Sequence, residues 1–167
     1  MSIEYFTCRV WRFISIVALL VSIFLVYFNL PEKVAVHHEN DKAVEFMPKN
    51  TIFYIAVGLA IGINLLLGFL EKIFPNIPNT SFAFLQATGW YNHRTELNMR
   101  FSNWIRMLQG CMNFMVCLTL YALVMVNIPD TNKTITNYEW ILMVGAVALL
   151  IWLFWLPIRI LFLKPKP

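Results

Sequence analysis

The chain has 167 residues, of which 59% are hydrophobic, 16% are aromatic and only 13% are charged, and its formal net charge is +4. A soluble domain carries about 25% charged residues, so this composition excludes an ordinary water-soluble enzyme or binding domain. The basic residues lie beside long apolar runs, so a membrane accounts for the positive charge better than a nucleic-acid partner does.

The apolar runs predict an all-α, integral membrane four-helix bundle that forms a single transmembrane domain over residues 1–167. The four spans are expected at about 13–30, 51–70, 104–127 and 140–163. A helix rises 1.5 Å per residue, so each of these runs covers most or all of a hydrocarbon core roughly 30 Å thick. The lipid bilayer is therefore the first partner that the sequence implies.

The first apolar run has two possible interpretations. Arg9 and Arg12 precede it, which also fits a secretory signal peptide. However, no small-x-small cleavage site follows between Tyr27 and Pro31. We therefore interpret the run as an uncleaved transmembrane helix that ends before Pro31, whose ring cannot continue a helix.

A polar segment, about residues 29–50, separates spans one and two and holds the only candidate metal ligands. Imidazole and carboxylate groups suit Zn²⁺. Neighbouring residues of an extended segment point to opposite faces, however, and the spacing matches no known ligand motif. We favour a solvated surface loop and expect no cofactor. The weak candidate ligands are His37, His38, Glu39 and Asp41.

Span two carries small residues on two faces. Gly58 and Gly62 are one turn apart on one face, and a second stripe lies opposite. Small residues let helices approach closely in lipid, so we expect neighbours on both faces and place span two at the centre of the bundle. Glycine is also common in membrane helices that make no such contact. The second stripe consists of Ala56, Ala60, Asn64 and Gly68.

The segment after span two is predicted to be a loop because it contains Pro75 and Pro78. Aromatic residues between 82 and 91 indicate that this loop lies against the membrane surface. Asn92 is the predicted N-cap of a helix that begins near His93 and continues into span three without a break.

Polar residues at helical spacing mark one face of span three. Such residues avoid lipid and face either protein or a water-filled cavity. One interpretation is interhelical hydrogen bonding, worth about 0.6 kcal/mol for each bond; the other is the lining of a cavity or partner groove. We favour the first. A membrane-protein partner or a second copy of the chain would contact the candidate interaction residues Gly58, Gly62, Arg106, Gln109 and Asn113.

The distribution of basic residues predicts the orientation. Residues 129–133 predict a short turn before span four, so four spans place both termini on one side. That side holds nine of the thirteen Lys and Arg residues. The positive-inside rule then makes both termini and the loop between spans two and three cytoplasmic, with His37 outside.

The spans contain little that could perform catalysis. No histidine lies within them, no Asp or Glu lies near the middle of one, and the chain has no His-Glu-x-x-His, Gly-x-Ser-x-Gly or Walker motif. We therefore predict that the protein is not an enzyme. An enzyme or transporter would require the polar stripe of span three to line a cavity.

Two short motifs resemble a known family. Leu30-Pro31-x-x-Val34-x-x-His37 follows span one, and Asn76-Ile77-Pro78-Asn79 follows span two. Both resemble motifs of a bacterial membrane-protein family of unknown function, whose module also forms the N-terminal part of SdpI-type immunity proteins. The resemblance covers about residues 13–120. It implies a four-helix inner-membrane protein and suggests no catalytic residue.

SdpI-like members are associated with protection against a secreted toxin and with holding a regulator at the membrane. The first functional hypothesis is therefore a non-enzymatic, multi-pass protein of a bacterial inner (plasma) membrane that acts through protein interaction. The alternative is a small accessory subunit of a larger membrane complex, such as a respiratory or secretion assembly.

Overall fold

The computed structural model describes residues 3–39, 42–78, 89–128 and 136–162. These residues form four α-helices: α1 Ile3–Asn29, α2 Lys49–Ile73, α3 Arg94–Asn127 and α4 Thr136–Phe162. Each is long and apolar enough to cross a membrane. The all-α, four-helix prediction is therefore confirmed. The predicted turn at 129–133 and the aromatic residues at 82–88 lie outside the described residues.

The helices extend past the predicted spans because apolar composition marks only the part of a helix that matches the bilayer interior. With 34 residues, α3 is about 51 Å long, well beyond the roughly 30 Å hydrocarbon core. Its unbroken path from Arg94 confirms the predicted continuation into span three. The N-cap prediction is wrong: His93 is the cap, without a side-chain bond, and a 3-10 turn over Trp90–His93 precedes it.

The centre of the bundle is α3, which packs against each of the other three helices. The prediction that span two is central is therefore wrong. The reason is that only one small-residue face of α2 meets other helices. Ala56 on that face is buried, whereas Gly58 and Gly62 would have nothing within 4 Å of an added Cβ.

Close packing between α1 and α3 depends on Gly110. The indole of Trp11 occupies the space that a Cβ at this position would need. The same ring stacks on Phe114 with centroids 4.9 Å apart, and its Nε1 donates to the Met107 carbonyl at 3.4 Å. The ring is thus held from two directions, and only glycine leaves room for it.

The polar segment between α1 and α2 folds into an antiparallel hairpin that was predicted to be a loop. Its strands are β1 Lys33–Glu39 and β2 Lys42–Pro48. Val34 lies opposite Met47 and is completely buried against the helix bundle. The period-two alternation of Val34 with Val36, and of Val44 with Phe46, is a strand signal that sequence reasoning overlooked.

Candidate functional site

Among the described residues, an ionic cluster surrounds Glu71, near the end of α2. Its Oε2 accepts from Arg12 of α1 at 3.0 Å, and its Oε1 lies 2.6 Å from Arg106 of α3. Ser102 of α3 donates to the same oxygen. The Glu71 side chain is only 13% exposed. One carboxylate therefore joins three helices, and it pairs with two guanidinium groups.

An amide network lies deeper in the bundle and connects the same three helices. Asn64 of α2 donates to Asn113 Oδ1 at 3.0 Å, and its own Oδ1 accepts from Gln109. Asn113 also donates to Ser15 Oγ of α1 at 3.1 Å. Gln109, Asn113 and Ser15 are completely buried. These bonds fix the rotation of the three helices about their axes. Each bond stabilises the bundle by about 0.6 kcal/mol.

The polar stripe of α3 thus forms hydrogen bonds to other helices at its inner end. At its charged end it borders a cavity. Gln109 and Asn113 are enclosed by protein, whereas Arg106 borders a cavity of about 240 Å³ beside α1. Asn64 and Glu71 border a larger groove of about 810 Å³ along α2. Within the described part of the chain, Gln109 Oε1 and Arg106 Nη1 are buried without a hydrogen-bond partner.

At the other end of the bundle, one asparagine bonds to the hairpin backbone. Asn127, the last residue of α3, accepts from the Ala35 backbone N–H at 2.8 Å and donates to the Ala35 carbonyl at 3.1 Å. Its amide therefore pairs with β1 as a neighbouring strand would. Lys49 adds an ion pair with Glu32 at 2.6 Å.

The described residues do not bring the candidate metal ligands together. His37 lies in β1 opposite Glu45, and its side chain is exposed. The side chains of His38 and Glu39, and all of Asp41, lie outside the described part. Among described residues, no group of three His, Cys, Asp or Glu side chains could hold a metal.

The candidate interaction residues separate into two groups. Arg106, Gln109 and Asn113 point into the bundle and bond to other helices, whereas Gly58 and Gly62 are exposed on the outward face of α2. The two groups thus lie on different surfaces. Another protein could therefore contact Gly58 and Gly62, whereas Gln109 and Asn113 are inaccessible to it.

Several site residues were missed by sequence reasoning. No contact is predicted from the sequence for Ser15, Glu71 or Asn127. Their polarity inside or beside spans was the available signal. Their partners lie on other helices, however, so no spacing within one helix reveals them.

The comparisons with known proteins add no relative. The chain matches no family model, and no match is found among curated proteins or solved structures.

Proposed function

We propose that this chain is a non-enzymatic, multi-pass protein of a bacterial inner membrane that acts by contacting another protein. The hairpin is the observation that carries this proposal. Val44 and Phe46 are each 55% exposed on β2, and Asn127 holds the neighbouring strand on the bundle. Apolar side chains on an ordered surface outside the helices are typical of an interaction site. The hydrogen bonding of the polar side chains among themselves also supports a structural role for the bundle.

The positive-inside rule assigns the Glu71 end to the cytoplasm and the hairpin to the outside. A secreted protein or peptide would then reach the hairpin first. This position agrees with the resemblance to SdpI-type immunity proteins, and we propose an immunity or signalling role on that basis. Protection would require a direct contact between the hairpin and the incoming molecule.

The test is photocrosslinking in living cells. A photoreactive amino acid replaces Val44 or Phe46, and the control position is Val147, which is 57% exposed on α4. We expect a discrete protein adduct from both hairpin positions and lipid adducts alone from the control. The same adducts from all three positions, or none from the hairpin, would contradict the proposal.

A second candidate function, an accessory subunit of a larger membrane complex, is favoured by the glycine pair of α2. Gly58 and Gly62 form an exposed, uncrowded strip, which a helix of another subunit could approach closely. The variant Gly58→Leu/Gly62→Leu should abolish stoichiometric co-purification with larger subunits. A matched control is Ala146→Leu/Ala148→Leu on α4, where both alanines are exposed. A wild-type protein that purifies alone would contradict this function.

A further inference from the structure

Three arginine side chains line a small cavity beside α1 at one end of the bundle. Arg9, Arg12, Phe13 and Ile16 recur at i, i+3, i+4 and i+7, so they share one face of α1. Arg106 of α3 borders the other side, and the open cavity between them has a volume of about 240 Å³. The guanidinium groups of two helices therefore converge on one space.

The positive charge of this cavity is only partly neutralised. Arg12 and Arg106 share the single carboxylate of Glu71, and Arg9 has no carboxylate partner among the described residues. Its guanidinium lies 5.3 Å from the centre of the Tyr5 ring, and that of Arg106 lies 4.7 Å from it. Three cations against one anion leave two positive charges, and Arg106 Nη1 is buried without a hydrogen-bond partner among the residues that the structure describes.

Two other arginines at this end, Arg100 and Arg159, each pair with a carboxylate of their own, and Arg94 donates to the backbone carbonyls of Phe74 and Ile77. Arg100 pairs with Glu96 at 2.5 Å, and Arg159 lies 3.8 Å from Glu4. Each has its own carboxylate. By contrast, Arg9, Arg12 and Arg106 meet around one carboxylate among the described residues, that of Glu71.

The lining changes from charged to apolar along α1. Arg9 and Arg12 lie nearer the start of the helix, whereas Phe13 and Ile16 lie deeper in the span. Phe13 is 68% exposed, so the cavity opens onto the surface that faces lipid. A ligand that fits this order has an anionic group at the interface and a hydrocarbon chain toward the bilayer centre.

We propose that this cavity binds the phosphate of an anionic glycerophospholipid in the leaflet at the Glu71 end. Guanidinium groups suit phosphate because their planar fork donates two parallel hydrogen bonds to its oxygens. Arg106 lines the cavity, and Arg9 supplies a positive charge that Glu71 does not already compensate. A free phosphate ion has the same head-group chemistry, but it would leave the apolar half of the cavity unused.

The experiment measures lipid binding to the detergent-purified full chain by native mass spectrometry. The probes are phosphatidylglycerol, phosphatidylcholine with the same acyl chains, and inorganic phosphate. The main variant is Arg9→Gln, which leaves the Glu71 cluster intact, and the control is Arg159→Gln, which removes equal charge outside the cavity. Arg106→Lys is a second variant, since lysine keeps the ion pair with Glu71 but lacks the fork.

We expect wild type to bind phosphatidylglycerol in preference to phosphatidylcholine. Arg9→Gln should weaken phosphatidylglycerol binding about tenfold, as the loss of a charge-assisted contact predicts. Arg106→Lys should weaken it several-fold, and Arg159→Gln should leave it unchanged. Equal losses in Arg9→Gln and Arg159→Gln would overturn the proposal, because they would show attraction to overall charge. Binding of inorganic phosphate without preference between the lipids would overturn the lipid assignment.

Discussion

Gly110 and Gly58 differ in the space around them, and we expect opposite effects on stability when each is replaced by alanine. An added methyl group at Gly110 would overlap the indole of Trp11, whereas nothing lies within 4 Å of one at Gly58. We expect Gly110→Ala to destabilise the fold by about 1–3 kcal/mol, as overpacking does. Gly58→Ala should cause no loss and could add up to about 1 kcal/mol through helix propensity.

Chemical unfolding of both variants in detergent would measure this difference. Intrinsic tryptophan fluorescence would also change in Gly110→Ala, because Trp11 must move. Equal stability of the two alanine variants would show that Trp11 does not fill the gap at Gly110.

Glu71 is the residue whose loss should damage the charged cluster most. Glu71→Gln leaves Arg12 and Arg106 side by side without a counter-charge, and breaking a buried pair on one side costs about 3–5 kcal/mol. Because Glu71 keeps 13% exposure, we expect about 3 kcal/mol. The control is Glu96→Gln, since Glu96 pairs with Arg100 within one helix and such pairs contribute below about 1 kcal/mol. Unfolding titrations that rank Glu96→Gln as the more damaging change would contradict this account.

At the scale of elements, the attachment of the hairpin depends on the last residue of α3. Asn127 exchanges two hydrogen bonds with the Ala35 backbone. Asn127→Ala should release β1, and hydrogen exchange over residues 33–48 should become about thirtyfold faster, since two bonds of roughly 1 kcal/mol each are lost. Exchange within α3 should change little.

Asn29→Ala is the matched control for this prediction. Asn29 is also an asparagine at the end of a helix on this side of the bundle, but within the described part of the chain it donates only to Leu25 of its own helix. Its replacement should leave exchange in the hairpin unchanged. If both variants behave alike, the hairpin is held by its apolar contacts and not by Asn127.

The four helices could be predicted because each is encoded locally in an apolar run. The shared face of Arg106, Gln109 and Asn113 was also predictable, since it follows from helical periodicity. The central position of α3 was not, because it depends on how complete helices pack. Likewise, Ala35 meets Asn127 across 92 positions of sequence, and no local pattern encodes such a distant pair.

At the scale of the whole molecule, polar contacts define two distinct ends. Arg12–Glu71 and Arg159–Glu4 join the start of α1 to the ends of α2 and α4. The opposite end carries the hairpin and the Lys49–Glu32 pair. The start of α1 thus lies beside the ends of α2 and α4, as an up-and-down bundle requires. The arginine cavity and the hairpin therefore lie on opposite sides of any membrane that the helices cross.

The orientation in the membrane can be measured by cysteine labelling. Val44→Cys and Pro78→Cys each place a thiol on an exposed residue, one in the hairpin and one beyond α2. The background first replaces the three natural cysteines, Cys8, Cys111 and Cys117. In intact cells, an impermeant maleimide should label Val44→Cys and should reach Pro78→Cys only after lysis, because the four predicted spans assign nine of the thirteen basic residues to the Pro78 side.

Labelling of both variants after lysis is the control for access to each thiol. If Pro78→Cys alone is labelled in intact cells, the protein has the reverse orientation. The hairpin would then face the cytoplasm, where a secreted toxin could not meet it from outside. The arginine cavity would then lie in the outer leaflet. The anionic lipids that give a membrane its negative surface potential are on the cytoplasmic side. A single labelling experiment thus tests the sidedness on which the proposed function rests.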